Sequence, residues 1–252
     1  MRVESFGISD PGCVRTENQD RIVVDPTFGL YAVCDGMGGH RHGGLAAEVA
    51  VSAMRHFLEA SQERLDVTWP FGYDFALSAD ANRLVTSVKL ANRMVWRRAE
   101  EAVEHAGMGT TVAAVLADLE QIIAANVGDS RVYRIRGGRM TQLSVDDTMV
   151  ANLARQGILS MEEIGTHPMR NILTQAAGAQ ENVDVHLVEE CPLAGDRYVI
   201  CSDGLYGVVP DQSIFHYVDS DGELEECAKA LIHEAILAGA PDNVSVVVLR
   251  YS

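Results

Sequence analysis

The sequence predicts an α+β protein in which two antiparallel sheets stack face to face and helix pairs cover them. Three observations carry this expectation. Strand-length runs follow one another in pairs joined by turn dipeptides, two long helical stretches follow the first strands, and two more precede the last strand. No repeat, low-complexity tract or Pro/Ser-rich linker divides the chain, so residues 1–252 read as a single domain.

The first 35 residues read as short strands with tight connections. Arg21–Asp25 and Leu30–Cys34 are apolar, β-branched or aromatic runs flanked by Pro26, Gly29 and the Gly-rich stretch 36–44. From Gly44 to about Glu63, Ala46, Val49, Ala50, Ala53, Met54 and Phe57 recur at helical spacing. A loop with Trp69-Pro70-Phe71-Gly72 follows. A second helix is expected from about Ser78 to His105, with Leu84, Val88, Ala91, Val95 and Ala102 on one face, stopped by Gly107-Met108-Gly109. Thr110–Leu116, Gln121–Val127, Arg131–Ile135 and Met140–Leu143 are strand-length, separated by turns at Asp118-Leu119, Gly128-Asp129 and Gly137-Gly138. Residues 144 to about 180 are polar and read as an excursion from the core, a flap, carrying Asp146-Asp147-Thr148 and His167-Pro168. Strands return at Val183–Val188 and Arg197–Cys201. Helices follow near Asp211–Val218 and Gly222–Ala238, and Val244–Leu249 closes the chain as a strand.

Charge narrows the function. The 36 Asp plus Glu outnumber 20 Lys plus Arg for a net charge of −16, which disfavours a nucleic-acid backbone or an anionic membrane as partner. A divalent cation or a basic polypeptide suits such a surface better. The five cysteines (Cys13, Cys34, Cys191, Cys201, Cys227) are never spaced Cys-x-x-Cys and read as small core residues of a reduced compartment. The N-terminus shows no secretory pattern, and no run of about 18 apolar residues exists, so the expectation is a cytoplasmic protein.

Four stretches place an aspartate at the end of an apolar strand beside a small residue: Cys34-Asp35-Gly36-Met37-Gly38-Gly39-His40, Asn126-Val127-Gly128-Asp129-Ser130-Arg131, Cys201-Ser202-Asp203-Gly204 and Pro241-Asp242-Asn243-Val244-Ser245. A carboxylate there is held by the sheet behind it yet faces outward, and a neighbouring glycine lets a backbone carbonyl approach an ion. Oxygen ligands without His or Cys suit hard cations such as Mg²⁺ or Mn²⁺. Any one of these sites alone reads better as a hairpin turn, because Asp-Gly is a favoured turn dipeptide. Four together, each after a hydrophobic strand, point to a cation site. Arg15, in Arg15-Thr16-Glu17-Asn18-Gln19-Asp20, adds a guanidinium fork that matches a phosphoryl group, although a solvated or salt-bridged arginine is as common.

The ordered set Arg15-x-x-Asn18-Gln19-Asp20, Asp35-Gly-Met-Gly-Gly-His40, Gly109-Thr-Thr111, Val127-Gly-Asp-Ser-Arg131, Ser202-Asp-Gly204 and Asp242-Asn243 resembles the metal-dependent type-2C protein serine/threonine phosphatases. It looks most like their compact bacterial form, with matches from Asp10 to Val247. The resemblance implies an α-β-β-α sandwich with two metal ions, Mn²⁺ or Mg²⁺, at one edge of the paired sheets. Asp35 would bridge both; Asp203 and Asp242 would complete the first, and the Gly36 carbonyl would bind the second. Asp129, with Asp203, would hold a weaker third ion. Arg15 would bind the substrate phosphate, His40 would protonate the leaving alkoxide, and Asp20 belongs to the catalytic set. His40 also admits a plainer role, hydrogen-bonded in a Gly-rich turn. The spacing Cys-x₅-Arg occurs once, at Cys191 to Arg197, but Arg197 opens an expected strand rather than a phosphate-cradling loop, so a phosphocysteine route is not expected.

The implied activity is hydrolysis of phosphoserine and phosphothreonine in proteins, opposing a Ser/Thr kinase, by a monomer that needs neither nucleic acid nor membrane. Two positions depart from the commoner pattern: Gln19 stands where many relatives carry Glu, and Asp147 where they often carry His. Gln19 motivates one alternative, a metal-poor pseudophosphatase that binds phosphoproteins. A small-molecule phosphate esterase is the other.

Overall fold

The computed structural model describes residues 1–38, 42–62, 68–160, 163, 165 and 167–252. Two five-stranded antiparallel sheets form its centre. The first has the order β1 (Val3–Asp10), β12 (Val244–Tyr251), β11 (Arg197–Cys201), β8 (Arg131–Arg136) and β9 (Arg139–Gln142). The second has the order β10 (His186–Glu190), β7 (Ile122–Val127), β6 (Val112–Ala117), β3 (Leu30–Cys34) and β2 (Arg21–Asp25). A two-residue ladder pairs β4 (Gly36–Met37) with β5 (Gly109–Thr110).

The period-2 alternation of these strands builds three apolar layers. Tyr31, Val33, Val115, Val132, Tyr198, Ile200, Val247 and Leu249 point between the sheets. Their neighbours Leu30, Ala32, Cys34, Val112, Ala114 and Val127 face α1 (His42–Gln62) and α2 (Ala79–Glu100). Val199, Cys201, Val244, Val246 and Val248 face α5 (Asp211–Val218) and α6 (Leu224–Leu237), the helices that follow α3 (Met149–Arg155) and the single turn α4 (Asp203–Tyr206). Because neither face of the central strands meets water, they read as nearly continuous apolar runs. The helix–sheet–sheet–helix order is the expected fold.

The differences from expectation have local causes. The second helix ends at Glu100, and a 3-10 turn at Val103–His105 takes up the residues before Gly107, whose φ of +77° is left-handed. The run Thr110–Leu116 divides, since Gly109–Thr110 leaves the sheet to pair with β4. The strand expected at Val183–Val188 forms instead at His186–Glu190, where Asn126 to Ile122 supply its ladder partners. Only Cys34, Cys201 and Cys227 fill core positions; Cys13 and Cys191 are exposed. Among the described residues no helix is long and apolar enough to cross a membrane.

Candidate active site

The sheets bring the four aspartate stretches to one end of the sandwich. Asp35 follows β3, Asp129 follows β7, Asp203 follows β11, and Asp242 precedes β12, which runs antiparallel to β11. A cleft of 1120 Å³ opens there, and Arg15, Asp35, Asp129, Asp203 and Asp242 all line it. The Gly36 backbone lines it too, but Asp20 lies buried behind it. His40 lies outside the described residues, so its placement rests on the motif alone. His42, Asn171 and Leu173, the last two from the flap, also face the cleft.

Each acid is held by local chemistry. The Asp35 N–H donates to Thr111 Oγ1 at 3.0 Å, and its carbonyl accepts the Thr111 N–H at 2.8 Å and the Thr110 hydroxyl at 2.9 Å. Gly36 must be glycine because the start of α1 packs onto it: a Cβ would overlap the Gly43 carbonyl. Asn243 fastens the Arg15 segment to β12. Its Oδ1 accepts the Gln19 N–H at 2.8 Å, and its Nδ2 donates to the carbonyls of Pro11 at 2.9 Å and Glu17 at 3.0 Å. Asp20 Oδ2 accepts the hydroxyls of Ser202 at 2.8 Å and Ser245 at 2.6 Å. Arg15 Nη2 reaches Asp242 Oδ2 at 2.7 Å.

The electrostatics are those of acids gathered without enough cations. Burial, reinforced by the neighbouring carboxylates, pushes Asp35 well above the usual carboxylate range. Burial, opposed by the two serine hydroxyls, raises Asp20 to about 6. Burial, with Asp203 and Asp146 adding to it, raises Asp129 to about 7. Asp203 is raised mainly by burial and then by Asp242, and a hydrogen bond from the Asp35 carboxyl partly offsets this.

The donor set fits a hard divalent cation. Asp20 Oδ1 and Asp203 Oδ1 are buried without a hydrogen-bond partner, a costly arrangement for acceptors that an ion or its water would relieve. Among the described residues no three candidate ligands already converge as a closed cage. One of the acids, Asp242, is held by Arg15 instead.

Several contributors were not assigned roles from the sequence. Thr111 and Asn243 belong to the quoted motifs, yet only contacts across 76 and 224 residues of chain reveal what they hold. Ser245 carried a weaker signal, lying two residues after Asn243.

A carboxylate-lined cleft at one edge of a helix–sheet–sheet–helix sandwich defines a class that comparison with known proteins makes specific. Residues 14–235 match the family Protein phosphatase 2C, and the chain belongs to that family. It is 36% identical over 240 residues to the serine/threonine protein phosphatase PstP of Mycobacterium tuberculosis, covering 95% of this chain and 43% of that protein. The chain therefore spans less than half the length of that relative. It is 32% identical over 249 residues to the serine/threonine phosphatase stp of Listeria innocua, covering 96% of this chain and 93% of that one. The fold matches the solved catalytic domain of PstP in complex with two manganese ions at a TM-score of 0.83 and 32% identity, over 98% of this chain and 97% of that chain.

Proposed function

We propose that this chain hydrolyses phosphoserine and phosphothreonine in proteins, using divalent cations held by Asp35, the Gly36 carbonyl, Asp203 and Asp242, with a weaker cation at Asp129 and Asp203. The observation that carries the reading is the convergence of Arg15 with these carboxylates on one open cleft. Bound Mn²⁺ or Mg²⁺ supplies an acidified water and positive charge beside the phosphoryl oxygens. The remaining work belongs to the chain.

Arg15 exchanges its bond to Asp242 for the phosphate, because a guanidinium fork binds phosphoryl oxygens bidentately. Asp20, its Oδ2 fixed by two serine hydroxyls, leaves Oδ1 to accept a hydrogen bond from water. His40 protonates the leaving alkoxide; this role rests on its place in the motif. The openness of the cleft to a protein side chain, with Asn171 and Leu173 on its flap side, favours phosphoproteins over small esters. A protein kinase must supply such substrates, and we infer one as the opposing partner. Residues 1–252 are proposed to act as one catalytic domain, because both sheets contribute to the cleft and share the core between them.

The test is release of phosphate from a phosphothreonine peptide with and without Mn²⁺, beside a panel of metabolite phosphate esters. Metal-dependent turnover preferring the peptide supports the reading. No turnover with metal bound marks a phosphoprotein-binding pseudophosphatase, and preference for metabolites marks an esterase.

A further inference from the structure

Asp147 is buried, and the reading above gives it no task. Its Oδ2 accepts the Gly128 N–H at 2.9 Å and the Gln175 side-chain amide at 3.0 Å, while its Oδ1 takes His186 Nε2 at 2.8 Å. A carboxylate has no proton to give, so this imidazole nitrogen carries the hydrogen. The Asp147 main chain repeats the contact: its N–H donates to the Gly128 carbonyl at 3.0 Å. One residue thus holds both polar groups of Gly128, the residue directly before Asp129.

Gly128 needs that support. Its φ is +95°, and a Cβ would meet the Thr111 side chain at 2.8 Å. On the other side of the turn, Asp146 binds the Arg131 guanidinium at 2.7 Å, that guanidinium lies 3.7 Å over the Tyr206 ring, and the Tyr206 hydroxyl donates to the Asp129 carbonyl at 2.9 Å. Two consecutive acids therefore bracket the turn. Asp146 is engaged by Arg131 and cannot replace its neighbour. The Asp147 backbone carbonyl accepts the Thr174 N–H at 2.7 Å, which ties the flap residues beside Leu173 to the same point.

We propose that Asp147 is a positioning residue for Asp129: oriented by Gln175 and His186, it fixes the Gly128 peptide and so sets the Asp129 carboxylate for the weaker cation. This rests on the reading of Asp129 as a ligand of that cation. A carboxylate that must meet an ion loses affinity when the peptide before it can turn, because binding then has to order it.

Mn²⁺ titration calorimetry on metal-stripped protein tests this with wild type, Asp129→Ala, Asp147→Ala, Asp147→Asn, His186→Ala and His186→Gln. Asp129→Ala should remove the weakest class of site. Asp147→Ala should weaken that class about tenfold, while the tighter sites bind as in wild type. Asp147→Asn, with one acceptor fewer, should fall between. His186→Gln, which keeps an N–H donor, should retain the wild-type isotherm, and His186→Ala should not. A weak class lost in Asp129→Ala but unchanged in Asp147→Ala and His186→Ala overturns the positioning role alone. A weak class unchanged in Asp129→Ala overturns the ligand reading, and the positioning role with it. Should Asp147→Ala fail to fold, Asp147→Asn and the His186 pair decide the matter by the same criteria.

Discussion

Strand β11 has an acid at each end, Asp196 before it and Asp203 after it, and the two ends are built on opposite principles. At the end away from the cleft, Asp196 is buried and accepts Arg136 Nε at 2.8 Å and the Leu193 N–H at 2.7 Å. Glu190 beside it takes Arg134 Nη1 at 2.6 Å and the Tyr198 hydroxyl at 2.8 Å. Each acid there has a guanidinium against it. At the cleft end, Asp129 precedes β8 and Asp203 follows β11, and burial raises both above the usual carboxylate range. Burying a carboxylate is tolerated when a counter-charge accompanies it and costly when none does. The difference teaches that burial of charge alone identifies nothing. An acid cluster marks a site when its compensation has been left for a ligand to supply.

The largest expected effect comes from removing an acid at each end. Asp203→Ala or Asp242→Ala should abolish turnover of a phosphothreonine peptide, with the melting temperature of the metal-free protein unchanged or raised. Retention of more than about a tenth of wild-type kcat, roughly 1.4 kcal/mol of barrier, removes these residues from the site. Asp196→Ala should do the reverse. It takes from Arg136 its nearest carboxylate, leaving it the Cys191 carbonyl and Glu190, costs about 1.5–3 kcal/mol of stability, and leaves the specific activity of folded protein unchanged. A stability-neutral Asp196→Ala would erase the contrast between the two ends.

Arg15→Ala probes the guanidinium that lines the cleft. An arginine that binds ground and transition states alike should raise KM about tenfold with a smaller fall in kcat. Unchanged kcat/KM on a phosphopeptide would show that Arg15 serves Asp242 and not the substrate.

The comparison also has a pH signature. Burial raises Asp129 from 3.8, its ordinary value in the unfolded chain, to about 7, so between these values the folded chain holds a proton that the unfolded chain has released. Stability from this source is complete below about pH 4 and is lost as pH rises through about 7. Without metal, Asp129→Asn should match wild type near pH 4 and melt higher than wild type at pH 8. Added Mn²⁺ should erase that advantage by stabilising the charged carboxylates. A difference in melting temperature that stays flat across this range would show that burial of Asp129 carries no such penalty.

The smallest effect is expected at Gln19, a residue on the cleft wall. Gln19→Glu adds one charge to the cation's surroundings and should lower the Mn²⁺ concentration for half-maximal activity by a few-fold. Superimposable activation curves would show that the amide serves equally well.

The sandwich was legible because apolar alternation is local. Leu30 to Cys34 or Val244 to Leu249 announce a strand buried on both faces whatever they pair with. The cluster of Asp35, Asp129, Asp203 and Asp242 was legible for a related reason, since each sits at a strand end beside a small residue and antiparallel pairing brings such ends together. The sequence by itself therefore determined the layers and the acids that meet at one end. It could not show that Arg15 rests on Asp242, that Asn243 fastens the loop before Asp20, or that Asp147 faces Gly128 and His186. Those contacts cross 227, 224, 19 and 39 residues of chain, where no periodicity or turn preference reaches. Only the tertiary structure decided which acids were given partners and which were left without, because a buried charge is judged by what packs against it and not by what precedes it in the chain.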